Sequence, residues 1–78
     1  MTRLPRVSGK RTIKALRKAG FEVFHVRGSH HYLHRWIDER WSPIVTVPIH
    51  SNKILKPKTL KSILKQADLT VEQFTDLL

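Results

Sequence analysis

Five histidines occur in this 78-residue chain, and three of them crowd the segment Gly28-Ser29-His30-His31-Tyr32-Leu33-His34. Unperturbed histidine titrates near ~6.5, so at neutral pH such a ring can accept or donate a proton. Two chemistries deserve weighing. A metal site is the first. Residues four apart on a strand stand ~13 Å apart at ~3.3 Å each, so His30 and His34 cannot hold one ion. Adjacent His30 and His31 diverge to opposite faces. The chain has no cysteine and no His-Glu-x-x-His pattern, the usual zinc signatures. This reading predicts neither a metal nor a cofactor.

Acid–base chemistry on RNA is the second. RNA carries its own nucleophile, the 2′-hydroxyl. An enzyme must deprotonate it, protonate the leaving 5′ oxygen and neutralise the phosphate between them. A histidine can serve in either proton transfer, each typically worth ~10²–10⁴-fold. Lysine or arginine can hold the charge that builds on the phosphorane oxygens. The plainer reading makes these histidines exposed polar positions on a strand. Tyr32 and Trp36 divide in the same way, between platforms for stacking bases and ordinary strand packing.

Charge favours a polyanion. Fifteen Lys and Arg stand against six Asp and Glu, a net charge of +9. The excess is uneven: residues 1–67 hold 15 bases and 3 acids, while Asp68, Glu72 and Asp76 follow the last lysine. Such a field attracts nucleic acid, an acidic membrane surface or an acidic protein. The basic N-terminal ten residues lack the apolar run of a secretory signal. No apolar stretch approaches the ~20 residues needed to span a bilayer. The expectation is a cytoplasmic protein without a membrane partner, and absence of cysteine agrees with a reducing compartment.

The elements that must position the histidines read as follows. Residues 1–7 form an extended lead-in. Ser8 caps a helix from Gly9 to Ala19, with Thr12, Ile13, Ala15, Leu16 and Ala19 inward and Gly20 as its stop. Phe21–Arg27 is rich in β-branched and aromatic residues and predicts a strand. Gly28-Ser29 turns it into a second strand, His30–Ile37. Alternation places His30, Tyr32, His34 and Trp36 on one face and His31, Leu33, Arg35 and Ile37 on the other. Leu33 and Ile37 are expected in the core, and His30, Tyr32 and His34 outside. Asp38-Glu39-Arg40 is a polar connection, and Ile44–Ile49 a third strand, placed at an edge or ending there by Pro48. Pro57 opens a second helix whose apolar stripe is Leu60, Ile63, Leu64 and Ala67, with Lys58, Lys61 and Lys65 outward. Thr70 and Gln73 stand in capping-box relation ahead of a short third helix.

One domain over residues 1–78 follows, of the α+β class. It is an α-β-β-β-α arrangement with a three-stranded antiparallel sheet, two helices on one face and a short C-terminal helix. This matches the double-stranded-RNA-binding-domain topology. Topology alone does not assign a function.

The residues also resemble a family. Phe21-Glu22-Val23, Gly28-Ser29-His30-His31, Thr46-Val47-Pro48, His50, Asn52-Lys53 and Lys56-Pro57-Lys58-Thr59-Leu60-Lys61-Ser62-Ile63-Leu64-Lys65-Gln66-Ala67 together look like the HicA (YcfA-like) toxins of toxin–antitoxin systems. The similarity runs over nearly the whole chain in order. It implies an mRNA interferase, and a HicB-like antitoxin, usually encoded beside the toxin, that covers the active surface. It carries the family's catalytic histidine to His30, with His31 as second choice. It makes Lys53, Lys56, Lys58 and Lys61 the RNA contacts; Tyr32 as a stacking residue comes from the strand itself. Two departures stand out: Asp68 where many members have glycine, and a bulky Arg35–Ser42 where a His-Pro turn is common. Non-catalytic RNA binding, a protein-binding module and DNA binding remain alternatives to cleavage at this point.

Overall fold

The computed structural model describes residues 3–78; Met1 and Thr2 of the expected lead-in lie outside the described residues. Helix α1 spans Gly9–Lys18. Its cap is the one expected: the Ser8 hydroxyl accepts from the Arg11 N–H at 3.1 Å, and Gly20 follows at a φ of +95°. Thr12 is buried on its inner face, and its hydroxyl donates to the Ser8 carbonyl at 2.8 Å. That bond removes the cost of an unmatched buried hydroxyl.

Strands β1 (Glu22–Arg27) and β2 (His30–His34) form a tight antiparallel hairpin, and β2 pairs on its other side with the later strand Val45–Pro48. Val45 and Val47 of that strand face Leu33 in a dry core with Ile13, Leu16, Phe21, Ile63 and Ala67. Helix α1 and the helix Pro57–Ala67 supply the second layer. Val7, Ala15, Leu60, Leu64 and Phe74 make a further cluster, which fastens the short helix Val71–Leu77 onto the helix layer. Both helix starts match their sequence signals: Pro57 at the first turn, and a reciprocal Thr70–Gln73 capping box. The fold is α+β, with the double-stranded-RNA-binding-domain-like order of helix, antiparallel meander and helix. Among the described residues, no helix lies on the other face of the sheet.

Pro48 sits where its chemistry allows. The Ile49 N–H donates to the Ser29 carbonyl at 2.8 Å, so bonded pairs alternate from there and the residue-48 nitrogen points to the free edge. Thr46, two residues earlier, has its N–H on that same edge, where the Gln66 side chain accepts it at 3.0 Å.

One expectation fails. The single strand His30–Ile37 is broken at Arg35, and Ile37 is not in the core. Two-residue strands β3 (Trp36–Ile37) and β4 (Arg40–Trp41) pair as a separate hairpin, so Arg40 is paired rather than part of a connection. The strand named above as Val45–Pro48 is therefore β5, and the two longer helices and the short one are α1, α2 and α3. Asp38 and Glu39 form the β3–β4 turn with φ of 51° and 61°, positive at both positions as two-residue hairpins prefer. Ile37 is 42% exposed. The cause is Arg35. Its guanidinium Nη1 donates to the Ala19 carbonyl at 3.1 Å and lies over the Phe21 ring at 4.7 Å. Ser42 closes the hairpin base, accepting the Arg35 N–H on its hydroxyl at 3.0 Å and donating its own N–H to the Arg35 carbonyl at 2.8 Å.

Candidate active site

The β1–β2 turn sets the geometry around His30. Gly28 takes a φ of +59°, and Ser29 returns to an ordinary conformation. Glycine at the first position is what such a turn requires. Arg27 is thereby paired directly with His30, and Pro48 flanks it on β5. Directly opposed residues hold their Cβ atoms ~4.5–5.5 Å apart on one face. Arg27 therefore stands beside His30, and both are exposed. Reading along the sequence did not single out Arg27. The two-residue turn was the signal, since it fixes which side chain opposes the histidine.

His31 faces the helix side with Leu33, half-buried. Its Nδ1 lies 3.3 Å from the Ser29 carbonyl. A carbonyl only accepts, so this bond needs the proton on Nδ1 and leaves Nε2 as the basic nitrogen. The bond between Ile49 and Ser29 also carries the chain back to the turn, and His50 follows one residue later. From there the Lys53 N–H donates to the His50 carbonyl at 3.0 Å, and the Leu55 N–H ties the loop to the Val7 carbonyl at 2.8 Å. Gly9 presses against the same corner: a Cβ on it would collide with the Pro48 carbonyl oxygen. The start of α1, the end of β5 and the histidine turn are thus locked together.

The expected RNA contacts divide between two sides. Tyr32 shares the open face with His30, leaning on His25 at 5.6 Å between ring centres. Lys58 and Lys61 lie exposed on α2, in the layer behind the sheet. Lys53 and Lys56, also exposed, lie in the loop that joins the two sides. No acid occurs between Glu39 and Asp68, so this loop and the first turns of α2 are uniformly basic.

His34 is held elsewhere. Its ring is stacked on Phe24 at 4.1 Å and on Trp41 at 3.7 Å, with interplanar angles of 25° and 12°. Two near-parallel rings that close must occupy its opposite faces. A register shift between Val23 and His25 makes Phe24 the extra residue of β1, so that Phe24 and His25 reach the open face in succession. Trp36 meets Trp41 edge-on at 5.1 Å. His34 is also ~13 Å from His30 along the strand, so it does not share a reacting phosphate with it.

A cleft of about 770 Å³ lies between the β3–β4 hairpin and the C-terminal end of α2, lined by Arg35, Ile37, Arg40, Trp41, Lys65 and Asp68 among others. His30 is not among its lining residues and stands exposed at the opposite end of β2. Among the described residues, no three His, Asp or Glu side chains converge as metal ligands.

Residues 9–69 match the family model described as the HicA toxin of bacterial toxin–antitoxin systems. No curated protein matches the chain.

Proposed function

The chain belongs to the HicA toxin family, and from that premise we propose that it is a metal-independent endoribonuclease that cleaves mRNA in the cytoplasm and is neutralised by a HicB-like antitoxin. Family membership makes it the toxin half of a toxin–antitoxin pair; the chemistry is our reading. The observation that carries it is His30, exposed on the sheet face turned away from the helix layer and directly opposite Arg27.

In this reaction the 2′ oxygen of the substrate attacks the adjacent phosphorus while the bond to the 5′ oxygen breaks. The products are a 2′,3′-cyclic phosphate and a free 5′-hydroxyl. One proton leaves the 2′-hydroxyl and one reaches the leaving oxygen, and His30 moves one of the two. Arg27 meets the charge on the phosphorane oxygens. His31, with its Nε2 free, is the second candidate for proton transfer, and His50 is the next imidazole along the chain path. Lys53, Lys56, Lys58 and Lys61 draw in the RNA backbone, and Tyr32 stacks on a base.

The test is cleavage of a labelled single-stranded RNA, with EDTA present, by the wild type and by His30→Ala. Matching circular dichroism must first establish that both are folded. The expected result is cleavage by the wild type and a loss of about 10²–10⁴-fold in the variant. RNA that both proteins bind equally and neither cuts would leave an RNA-binding domain and remove the nuclease. In cells the same pair should differ in toxicity when no antitoxin is supplied.

A further inference from the structure

The far end of the open face has no part in this proton chemistry, and it is built differently. Trp36 and Trp41 are 59% and 49% exposed, with Phe24 at 45%. They are the only two tryptophans of the chain. Trp36 and Trp41 are paired on one face of the β3–β4 hairpin, and Ile37, paired with Arg40, shows apolar surface on the other. Exposed apolar surface gathered in this way marks an interaction site. Tryptophan and arginine are also the residues that dominate protein–protein binding energy.

We propose that the β3–β4 hairpin is where the antitoxin protein docks, at a site separate from the histidine turn. The proposal rests on the family assignment for the partner's existence, not on nuclease activity. Charge selects a protein over RNA. Glu22 is paired opposite His34, and Asp38 and Glu39 form the hairpin tip; these are half of the six acids in the chain. These carboxylates outnumber the guanidiniums of Arg35 and Arg40, the first already held by the Ala19 carbonyl and the Phe21 ring, and they disfavour phosphates. They suit instead a protein surface that offers an apolar pocket for the tryptophans and Lys or Arg for the tip. An aromatic centre with a rim of charged groups is the anatomy of such an interface. A second copy of this chain fits less well, since each copy carries a net charge of +9. Docking here would anchor the antitoxin while another part of it reaches over His30.

The experiment is calorimetric titration of the HicB-like antitoxin of this toxin–antitoxin pair into the toxin carrying His30→Ala. On that background, Trp36→Ala with Trp41→Ala should raise Kd by about 30-fold or more, the size expected on losing a central anchor. Asp38→Asn with Glu39→Gln should raise it several-fold. The second pair keeps the tryptophans and the positive-φ turn, so it tests the site even if the first pair loosens the hairpin. Affinity within about threefold of the parent for both pairs would overturn the proposal. So would a tryptophan variant that binds antitoxin normally but loses affinity for a single-stranded oligonucleotide, which would assign the stack to RNA. If the antitoxin binds no form of the toxin, parent included, the partnership itself fails and the proposal with it. That result is distinct from equal binding by all.

Discussion

The two ends of the open sheet face share one strand and differ in almost every physical respect. At the β1–β2 turn, His30 and Arg27 stand exposed with unstacked polar tips, next to a loop that carries Lys53 and Lys56 and no acid. At the other end, His34 is pressed between Phe24 and Trp41, and the strand and hairpin that carry the aromatic group hold Glu22, Asp38 and Glu39 beside Arg40. The same residue type therefore has opposite prospects four positions apart. An imidazole in the open can exchange protons with a substrate. One covered on both ring faces contributes stacking and apolar area. Histidine count says little about chemistry; what covers the ring says more.

The largest way to break this contrast is His30→Ala. It should cost about 10²–10⁴-fold in RNA cleavage and leave the thermal midpoint within about 2 °C of the wild type, because the side chain is exposed. The matching change, His34→Ala, should leave most cleavage intact. Comparable losses from both substitutions, measured on the same labelled RNA, would erase the distinction between the ends.

Leu33→Ala tests whether the ends are held by one core. Leu33 is completely buried on the face of β2 opposite His34, so its truncation should cost about 2–5 kcal/mol. A small domain has only about 5–15 kcal/mol in total. Thermal melts followed by tryptophan emission and by far-ultraviolet circular dichroism should fall together. If the tryptophan signal stays at the wild-type midpoint, the hairpin does not depend on this core.

Ser42→Ala acts at one end only. It removes the acceptor for the Arg35 N–H and should cost about 1 kcal/mol, felt as local opening of the β3–β4 hairpin rather than global unfolding. Faster amide exchange over residues 36–41, with cleavage unchanged, is the expected pattern. Slower RNA cleavage in this variant would show that the two ends are coupled.

What could be read from the sequence follows the range of each determining interaction. Ser8, Pro57 and the Thr70–Gln73 pair announce helix starts because capping acts within three or four residues. The Gly28-Ser29 turn is equally local, and with it the exposure of His30. Asp68 at a φ of +57° ends α2 where glycine is usual, since aspartate tolerates that conformation. The break at Arg35 was hidden because its anchors, Ala19 and Phe21, lie 16 and 14 residues away in sequence. The β3–β4 hairpin has two-residue strands and a turn without glycine, so no periodicity or turn signal marks it. His25 follows Phe24 onto the open face through a bulge that alternation cannot foresee. The lysines were identifiable as exposed, but their division from Tyr32 became visible only once α2 had a side of the sheet.

The smallest expected effect bears on that division. Each phosphate contact removed should flatten the dependence of log affinity on log salt by about 0.7 for a single strand. Lys53→Ala, in the loop beside the histidine turn, should therefore weaken binding of an uncleavable 2′-deoxy oligonucleotide modestly and reduce the slope by about that amount. Glu39→Gln, at the aromatic tip, should leave the slope within error, because no phosphate is expected there. Measured by fluorescence anisotropy between about 50 and 200 mM salt, the two variants place the RNA track directly. An unchanged slope for Lys53→Ala beside a steeper one for Glu39→Gln would move the track to the tryptophans, and the basic loop would be only a solvated surface.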